Sequence, residues 1–552
     1  MSDAPKSAYE LALEKLKQRD RERGEAAPVL LTDEQKKKIA TIRRTCEAKI
    51  AEREILHASE RTKVLSDPEG QEKLPKLEEE YLKDRRRIEA ERDRQIEAVR
   101  AGKPAGGRRG RKVKTLLAAL GLLAASTRAA PAAEPAKGAD AGTKRVYAIK
   151  AARLYDGTEA PLRRDAVVVV EGDRIRSVGG SDAAVPEGAR LIDLGNATLL
   201  PGLIDAHTHV FLQGDLTERD YERQILEESI PHRTVRAVAA ARTALLHGFT
   251  TIRDLGTEGA GYGDVGLRDG INEGYVPGPR MFVATLALDV TGAYPLLGYA
   301  LESPVPSGVQ TVDGPDAGRN AVREQIKYGA DWIKVYCDRG YFLDPGGRLD
   351  SVPTFTPAEL GAIVDEAHRQ GRRVAAHAMG PRGIANALDA GVDSIEHGAG
   401  LDQAAIHRMV AKGVYYCPTL TVMQRVAAPR VREGRDIWSR MPEIQRASFR
   451  AALQAGVRIA FGTDAGGFPW KETSQADEFL WLTRYGMTPA QAIRSATSVA
   501  AALLGKEGEL GRVAPGADAD LVAVPGDPLE DITAMGRVGF VMARGEIARN
   551  EF

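Results

Sequence analysis

Leu200-Pro201-Gly202-Leu203-Ile204-Asp205-Ala206-His207-Thr208-His209 is the stretch on which the reading of this chain turns. In an extended strand, residues two apart share a face, so His207 and His209 leave an apolar run in the same direction. Neutral imidazoles side by side fill a core poorly and hold a divalent metal well. A partly exposed strand with two incidental histidines is the competing explanation. The chain has only nine histidines, and two more, His377 and His397, end later apolar runs. That favours a metal site.

Outward from this stretch, apolar strands and amphipathic helices alternate. Strand candidates end near His209, Arg253, Ala287, Tyr336, His377, His397, Thr419 and Asp464. Helical stretches include 234–246, 317–328, 357–370, 404–412, 447–455 and 489–504. Eight strand-then-helix units predict an α/β fold, a (β/α)8 TIM barrel over 199–507. Before it, 146–154 and 166–178 alternate as strands, with Glu171-Gly172-Asp173 turning a hairpin. After it, 511–515, 519–525 and 538–545 read as strands. The segments 144–198 and 508–552 are expected to pair into one small β-sandwich domain, which a closed barrel allows by bringing its two ends together.

In a barrel of this kind, chemistry belongs to the C-terminal ends of the strands. Those positions hold His207, His209, Lys334 in Asp-Trp-Ile-Lys-Val, His377, His397 and Asp464 in Phe-Gly-Thr-Asp-Ala. Four imidazoles, a lysine and a carboxylate at one mouth are costly unless something such as a divalent metal organises them. An ammonium at Lys334 would be repelled by metal ions, whereas a neutral amine can add carbon dioxide and bridge two cations as a carbamate. The alternative for Lys334 is a salt bridge at the barrel rim.

These motifs resemble those of the amidohydrolase superfamily, and closely its imidazolonepropionase-like and Xaa-Pro dipeptidase branch. The matching stretches are LPGLIDAHTHV (200–210), GFTTIRDL (248–255), GADWIKV (329–335), Ala375–His377, DSIEHG (393–398) and GTDAG (462–466). LGRVAPGADADLV (510–522) and GDPLEDI (526–532) complete the set. The resemblance spans 145–552 and is specific for superfamily, much less so for substrate. It implies that His207, His209 and Asp464 bind one divalent metal ion and His377 and His397 a second, with carbamylated Lys334 bridging. Zinc is the expected metal, although the donor set also accepts manganese or cobalt. The implied reaction is attack of a metal-bridging hydroxide on an amide, of a dipeptide or an N-acyl amino acid, with Asp464 moving the proton to the leaving amine.

Several positions depart from the dipeptidase branch. Met379 stands where relatives often carry Tyr or His, and methionine cannot donate to a developing oxyanion. Thr291-Gly292-Ala293-Tyr294 and Phe468-Pro469-Trp470-Lys471 also differ. Tyr294 is a candidate replacement donor, with rim packing as the alternative. Arg253, Arg339 and Lys471 are candidates to hold a substrate carboxylate, each with a structural role as the alternative. Asp254 and Glu396 are expected to orient their neighbours. Two other functions compete: a cyclic-amide hydrolase or deaminase, against which Lys334 argues, and a non-catalytic barrel scaffold, against which the complete ligand set argues.

The 552-residue chain carries 77 basic and 77 acidic side chains, so no global field favours nucleic acid. A small-molecule substrate is expected, and a homo-oligomer is compatible. Cys46, Cys337 and Cys417 form no CxxC pair; the last two read as buried thiols. Residues 1–102 are dense in Lys, Arg and Glu and read as charged helices, capped at Thr32/Gln35 and striped by Leu74, Leu77, Tyr81 and Ile88. Their partner is unknown. Residues 103–143 run from a basic cluster through a short apolar core to an Ala/Pro linker, the layout of a secretory signal. Val113, a residue that a GTG start codon encodes, is the expected true start of a secreted or periplasmic enzyme. Otherwise the segment is a linker and the protein is cytoplasmic.

Overall fold

The computed structural model describes residues 145–552, apart from 297, 301, 472 and 473, and scattered helical positions between 38 and 98. The chain divides into two compact units, Met1–Lys137 and Gly138–Phe552, and the second contains all six strand-end residues from His207 to Asp464. The signal-like stretch and most of the charged helical segment lie outside the described residues. Among the described residues, no helix is long and apolar enough to cross a membrane.

Parallel strands form in chain order and pair with their neighbours. Leu203–Thr208 pairs with Phe249–Asp254, which pairs with Arg280–Val283. Trp332–Tyr336 pairs with Arg373–Ala378, that strand with Ser394–His397, and that with Tyr415–Cys417. The Asp331 amide donates to Val283 (2.8 Å), joining the two groups. Bridges at Tyr416–Ile459 and Thr208–Ala465 carry the order through a last segment back to the first strand. These strands are buried on both faces, which explains why they read as continuous apolar runs. Helices between them start at sequence-legible caps. Thr356 and Glu359 form a capping box ahead of Pro357–Arg369, as do Thr488 and Gln491 ahead of Pro489–Arg494.

The segments flanking this body do pair, but in one eight-stranded sheet and not in the two facing sheets of the expected sandwich. Its order runs from Glu546–Asn550 through Phe540–Ala543, Leu521–Pro525, Ala197–Pro201, Val146–Leu154 and Arg163–Glu171 to Arg174–Gly179. Arg190–Asp193 pairs beside Val146–Leu154 in parallel. Gly172 and Asp173 turn the expected hairpin between Glu171 and Arg174. The sheet encloses its own apolar cluster, with Ile149, Val168, Leu199, Leu521 and Phe540 fully buried.

Two further expectations are corrected. Residues 511–515 are not a strand: Gly511 is left-handed (φ 71°), and Pro515 has no amide to give a ladder. The helix expected over 489–504 is interrupted by a π-turn at Ser495–Val499, where the Ser495 carbonyl accepts from the Phe461 amide (3.0 Å). That bond ties the helix to the segment leading to Asp464.

Candidate active site

Each of the six strand-end residues arrives on its own backbone support. Asp205 is buried beneath the first pair and accepts from the Thr463 hydroxyl (2.6 Å), Gln475 (2.7 Å) and the amides of His207 and Thr463. This locks the first strand to the Thr463–Asp464 turn; burial still lifts the Asp205 carboxyl to about 6. Three strand-end residues, His397, Thr419 and Asp464, have left-handed backbones (φ 67°, 50° and 59°). Strained backbone of this kind persists where the surroundings over-determine it, and it gathers at functional sites. Gly462 allows the close approach: a Cβ there would lie 2.9 Å from the Cβ of His207.

The imidazoles form a chain. Ring centroids lie 5.4 Å apart for His207 and His209, 5.0 Å for His207 and His397, and 4.6 Å for His377 and His397. One nitrogen of each ring is fixed. His207 Nδ1 meets Glu396 Oε2 (2.8 Å), His209 Nδ1 the Gly256 carbonyl (2.9 Å), His397 Nδ1 the Thr419 hydroxyl (2.7 Å), and His377 Nε2 the Tyr341 hydroxyl (2.6 Å). Such partners set the tautomer and aim the other nitrogen. Nε2 of His207 and of His209 then face Asp464 Oδ1, at 3.6 and 3.4 Å. His207 Nε2 is buried without a hydrogen-bond partner. Donor atoms of His207, His209 and Asp464 lie within 4.8 Å of one another, a spacing that one cation spans.

Electrostatics favour neutral donors. Burial holds all four imidazoles below the ordinary histidine range, with the Lys334 charge adding to the effect at each. Burial also pulls Lys334 down, against the carboxylates Glu396 and Asp464. Asp464 is pushed up by burial and drawn back by Lys334.

Arg253 departs from its expected role. It does not line the chamber. It is fully buried, stacks on Trp332 (4.4 Å), donates to the Ala206 carbonyl (2.6 Å) and pairs with Glu396 (2.8 Å). Strand geometry explains this: the Arg253 side chain points into the protein, where its charge holds the carboxylate that orients His207. Lys471 is exposed and outside the chamber. Asp254 accepts from the Val210 amide (2.8 Å) and the Thr208 hydroxyl (3.3 Å), flanking both histidines.

Arg339 and Tyr294 do line the chamber. Arg339 sits over the rings of Tyr294 (4.5 Å) and Tyr336 (4.3 Å), and its Nε is buried and unpartnered. Tyr294 is committed elsewhere: its hydroxyl donates to Glu258 (2.5 Å), which also accepts from Tyr221 (3.0 Å) and Tyr336 (3.3 Å). Beside Met379 the chamber holds the hydroxyl of Tyr341, carried on the hairpin Asp338–Leu343 with Leu349–Pro353. Sequence reasoning missed Tyr341 and Glu258. Tyr341 follows the Lys334 strand by a few residues, so the strand-end rule marks its loop but not its side chain. The chamber, about 100 Å³, adjoins a cleft of about 920 Å³. Asp215, Arg339, Tyr341, Arg430 and Trp438 border both.

Comparison with known proteins places this geometry. The model of the Amidohydrolase family matches residues 198–548. Ochratoxinase of Aspergillus niger is 33% identical over 420 residues, covering 70% of this chain and 83% of that protein. Imidazolonepropionase of Streptomyces griseus is 29% identical over 422 residues, covering 70% and 94%. The crystal structure of a Xaa-Pro dipeptidase with methionine bound in its active site superposes with a TM-score of 0.66 at 32% identity, covering 73% of this chain and all of that one.

Proposed function

This chain belongs to the amidohydrolase family, and from that premise we propose a hydrolase that cleaves the amide of an N-acyl amino acid or dipeptide at a binuclear metal centre. The cyclic order of its parallel strands supports reading the body as the expected (β/α)8 barrel. The single observation that carries the proposal is the chamber itself: fixed, neutral imidazoles, with the His207 Nε2 buried and partnerless beside Asp464. A buried, unpartnered imidazole nitrogen calls for an explanation, and a bound cation supplies one.

The residues fit such a group. His207, His209 and Asp464 would hold one divalent cation and His377 and His397 another, with a Lys334 carbamate between them. Bound cations supply Lewis acidity, lowering the pKa of water and polarising a carbonyl. The chain's own residues do the rest. Asp464 would take a proton on its carboxylate and return it to the leaving amine. His377 Nε2 meets the Tyr341 hydroxyl (2.6 Å); were that nitrogen the donor, Tyr341 would keep its hydroxyl hydrogen for a substrate oxygen. Arg339, lying over two tyrosine rings that pack on each other, presents unused donors where chamber meets cleft and would hold the carboxylate of the amino-acid part. The adjoining cleft, with Tyr221, Leu296, Phe342 and Trp438 on its walls, suits a bulky acyl group better than a second small residue.

Metal analysis and a substrate screen test this. About two equivalents of divalent metal, with turnover of N-acyl amino acids, are expected; a metal-replete protein inert on every amide would overturn the reading.

A further inference from the structure

The opposite end of the same strands holds a second cavity, of about 600 Å³, that the proposed reaction does not use. It lies at strand N-termini: Arg373 and Tyr415 open their strands, and Arg458 directly precedes Ile459. His377 comes four residues after Arg373, so roughly 13 Å of strand separates this floor from the metal chamber. The helical stretch 494–502, the loop at Gly157–Glu159 and the segment from Glu507 to Arg512 supply the remaining walls.

Four guanidinium groups, from Arg373, Arg458, Arg494 and Arg512, line this cavity, against two carboxylates, Glu159 and Glu507. Three of the four are held in place by part of their donor set. Arg373 Nη1 is bound by the carbonyls of Ala502 and Leu503. Arg458 lies on the Tyr415 ring (4.1 Å) and donates to the Tyr415 hydroxyl (3.1 Å) and to the Gly413 carbonyl. Arg494 pairs through Nη1 with Glu159, while its Nε is buried without a partner. A guanidinium has five N–H donors, so each keeps several unspent. Arg512 is exposed and has no side-chain partner among the described residues.

We propose that this floor cavity binds a small multivalent oxyanion, a phosphate ester or a dicarboxylate, clamped by Arg458, Arg494 and Arg512. Guanidinium forks match the paired oxygens of both classes. Tying Arg458 to the Gly413 carbonyl and Arg494 to Glu159 fixes them before the ligand arrives, which lowers the ordering cost of binding. The excess of cations over carboxylates selects negative charge, and the cavity volume falls in the range of small-ligand sites.

Isothermal titration calorimetry on the full, metal-loaded chain tests this with inorganic phosphate and with succinate at constant ionic strength. Saturable binding is expected, and the tighter of the two probes identifies phosphate or carboxylate as the preferred class. Arg512→Gln, which removes no contact inside the protein, is expected to weaken that binding at least about ten-fold with unchanged amide hydrolysis and melting temperature. Arg458→Gln with Arg512→Gln is expected to abolish it. Binding that persists in Lys334→Ala places the anion away from the metal centre. No saturable binding, binding indifferent to both arginine changes, or binding lost in Lys334→Ala would each overturn the proposal.

Discussion

The two ends of one set of parallel strands carry opposite chemistry. At their C-terminal ends, neutral imidazoles, Lys334 and Asp464 crowd a small chamber, with left-handed backbone at His397, Thr419 and Asp464. At their N-terminal ends, arginines grip backbone carbonyls and keep spare donors facing a wide, open cavity. The first end is buried and short of partners; the second is charged and solvated. The difference teaches that a strand five or six residues long separates two electrostatic environments, so a substitution at one end leaves the other intact.

The largest predicted effect breaks the chamber end alone. His207→Ala or Lys334→Ala is expected to lower kcat/KM on the order of 10³-fold and to reduce bound metal, read by kinetics and elemental analysis, with phosphate binding at the floor retained. Next comes Glu396→Gln. It removes the charge that pairs with the fully buried Arg253 and leaves one amide oxygen, which can accept from His207 or from Arg253 but not from both. Metal affinity should fall ~10–100-fold and stability by ~3–5 kcal/mol; a metal titration and denaturant unfolding read the two. An unchanged unfolding midpoint would show that Arg253 finds another counter-charge.

Arg339→Met sharpens the same comparison more gently. KM for substrates with a free carboxylate should rise about ten-fold, with kcat little changed and no effect on the matching amides. An equal effect on both would remove Arg339 from carboxylate recognition. The smallest effect concerns pH. Glu478 accepts from the Leu420 and Thr421 amides (2.8 and 2.7 Å), and burial raises its carboxyl to about 7. A carboxyl whose folded pKa exceeds its unfolded value stabilises the fold fully below the unfolded value, and that stability is lost as pH rises through about 7. Melting temperature should therefore drop between pH 5 and 8 by more in the native chain than in Glu478→Gln.

Much of the chamber is legible in the sequence because strand ends fall at fixed points in an apolar pattern. His207 and His209 announce themselves by two-residue spacing, and Lys334, His377, His397 and Asp464 each interrupt or end a hydrophobic run. Spacing assigns Arg253 the wrong role, since it gives a side chain's position along a strand but not the buried carboxylate it meets. Tyr341 is not legible at all. It stands on a hairpin inserted after the Lys334 strand, and only the folding of that hairpin over the chamber brings its hydroxyl to His377. The strand expected at 511–515 fails because Gly511 and Pro515, whose backbones refuse a ladder, outweigh the apolar residues between them.

By itself, then, the sequence determined the family and the set of residues at the strand ends, because strand periodicity and metal chemistry are both local rules. The tertiary structure alone decided which nitrogen of each imidazole is free, which arginine lines the chamber and which is sealed inside, and that four arginines far apart in sequence share a cavity. Those outcomes rest on contacts between distant segments, and no local spacing encodes them.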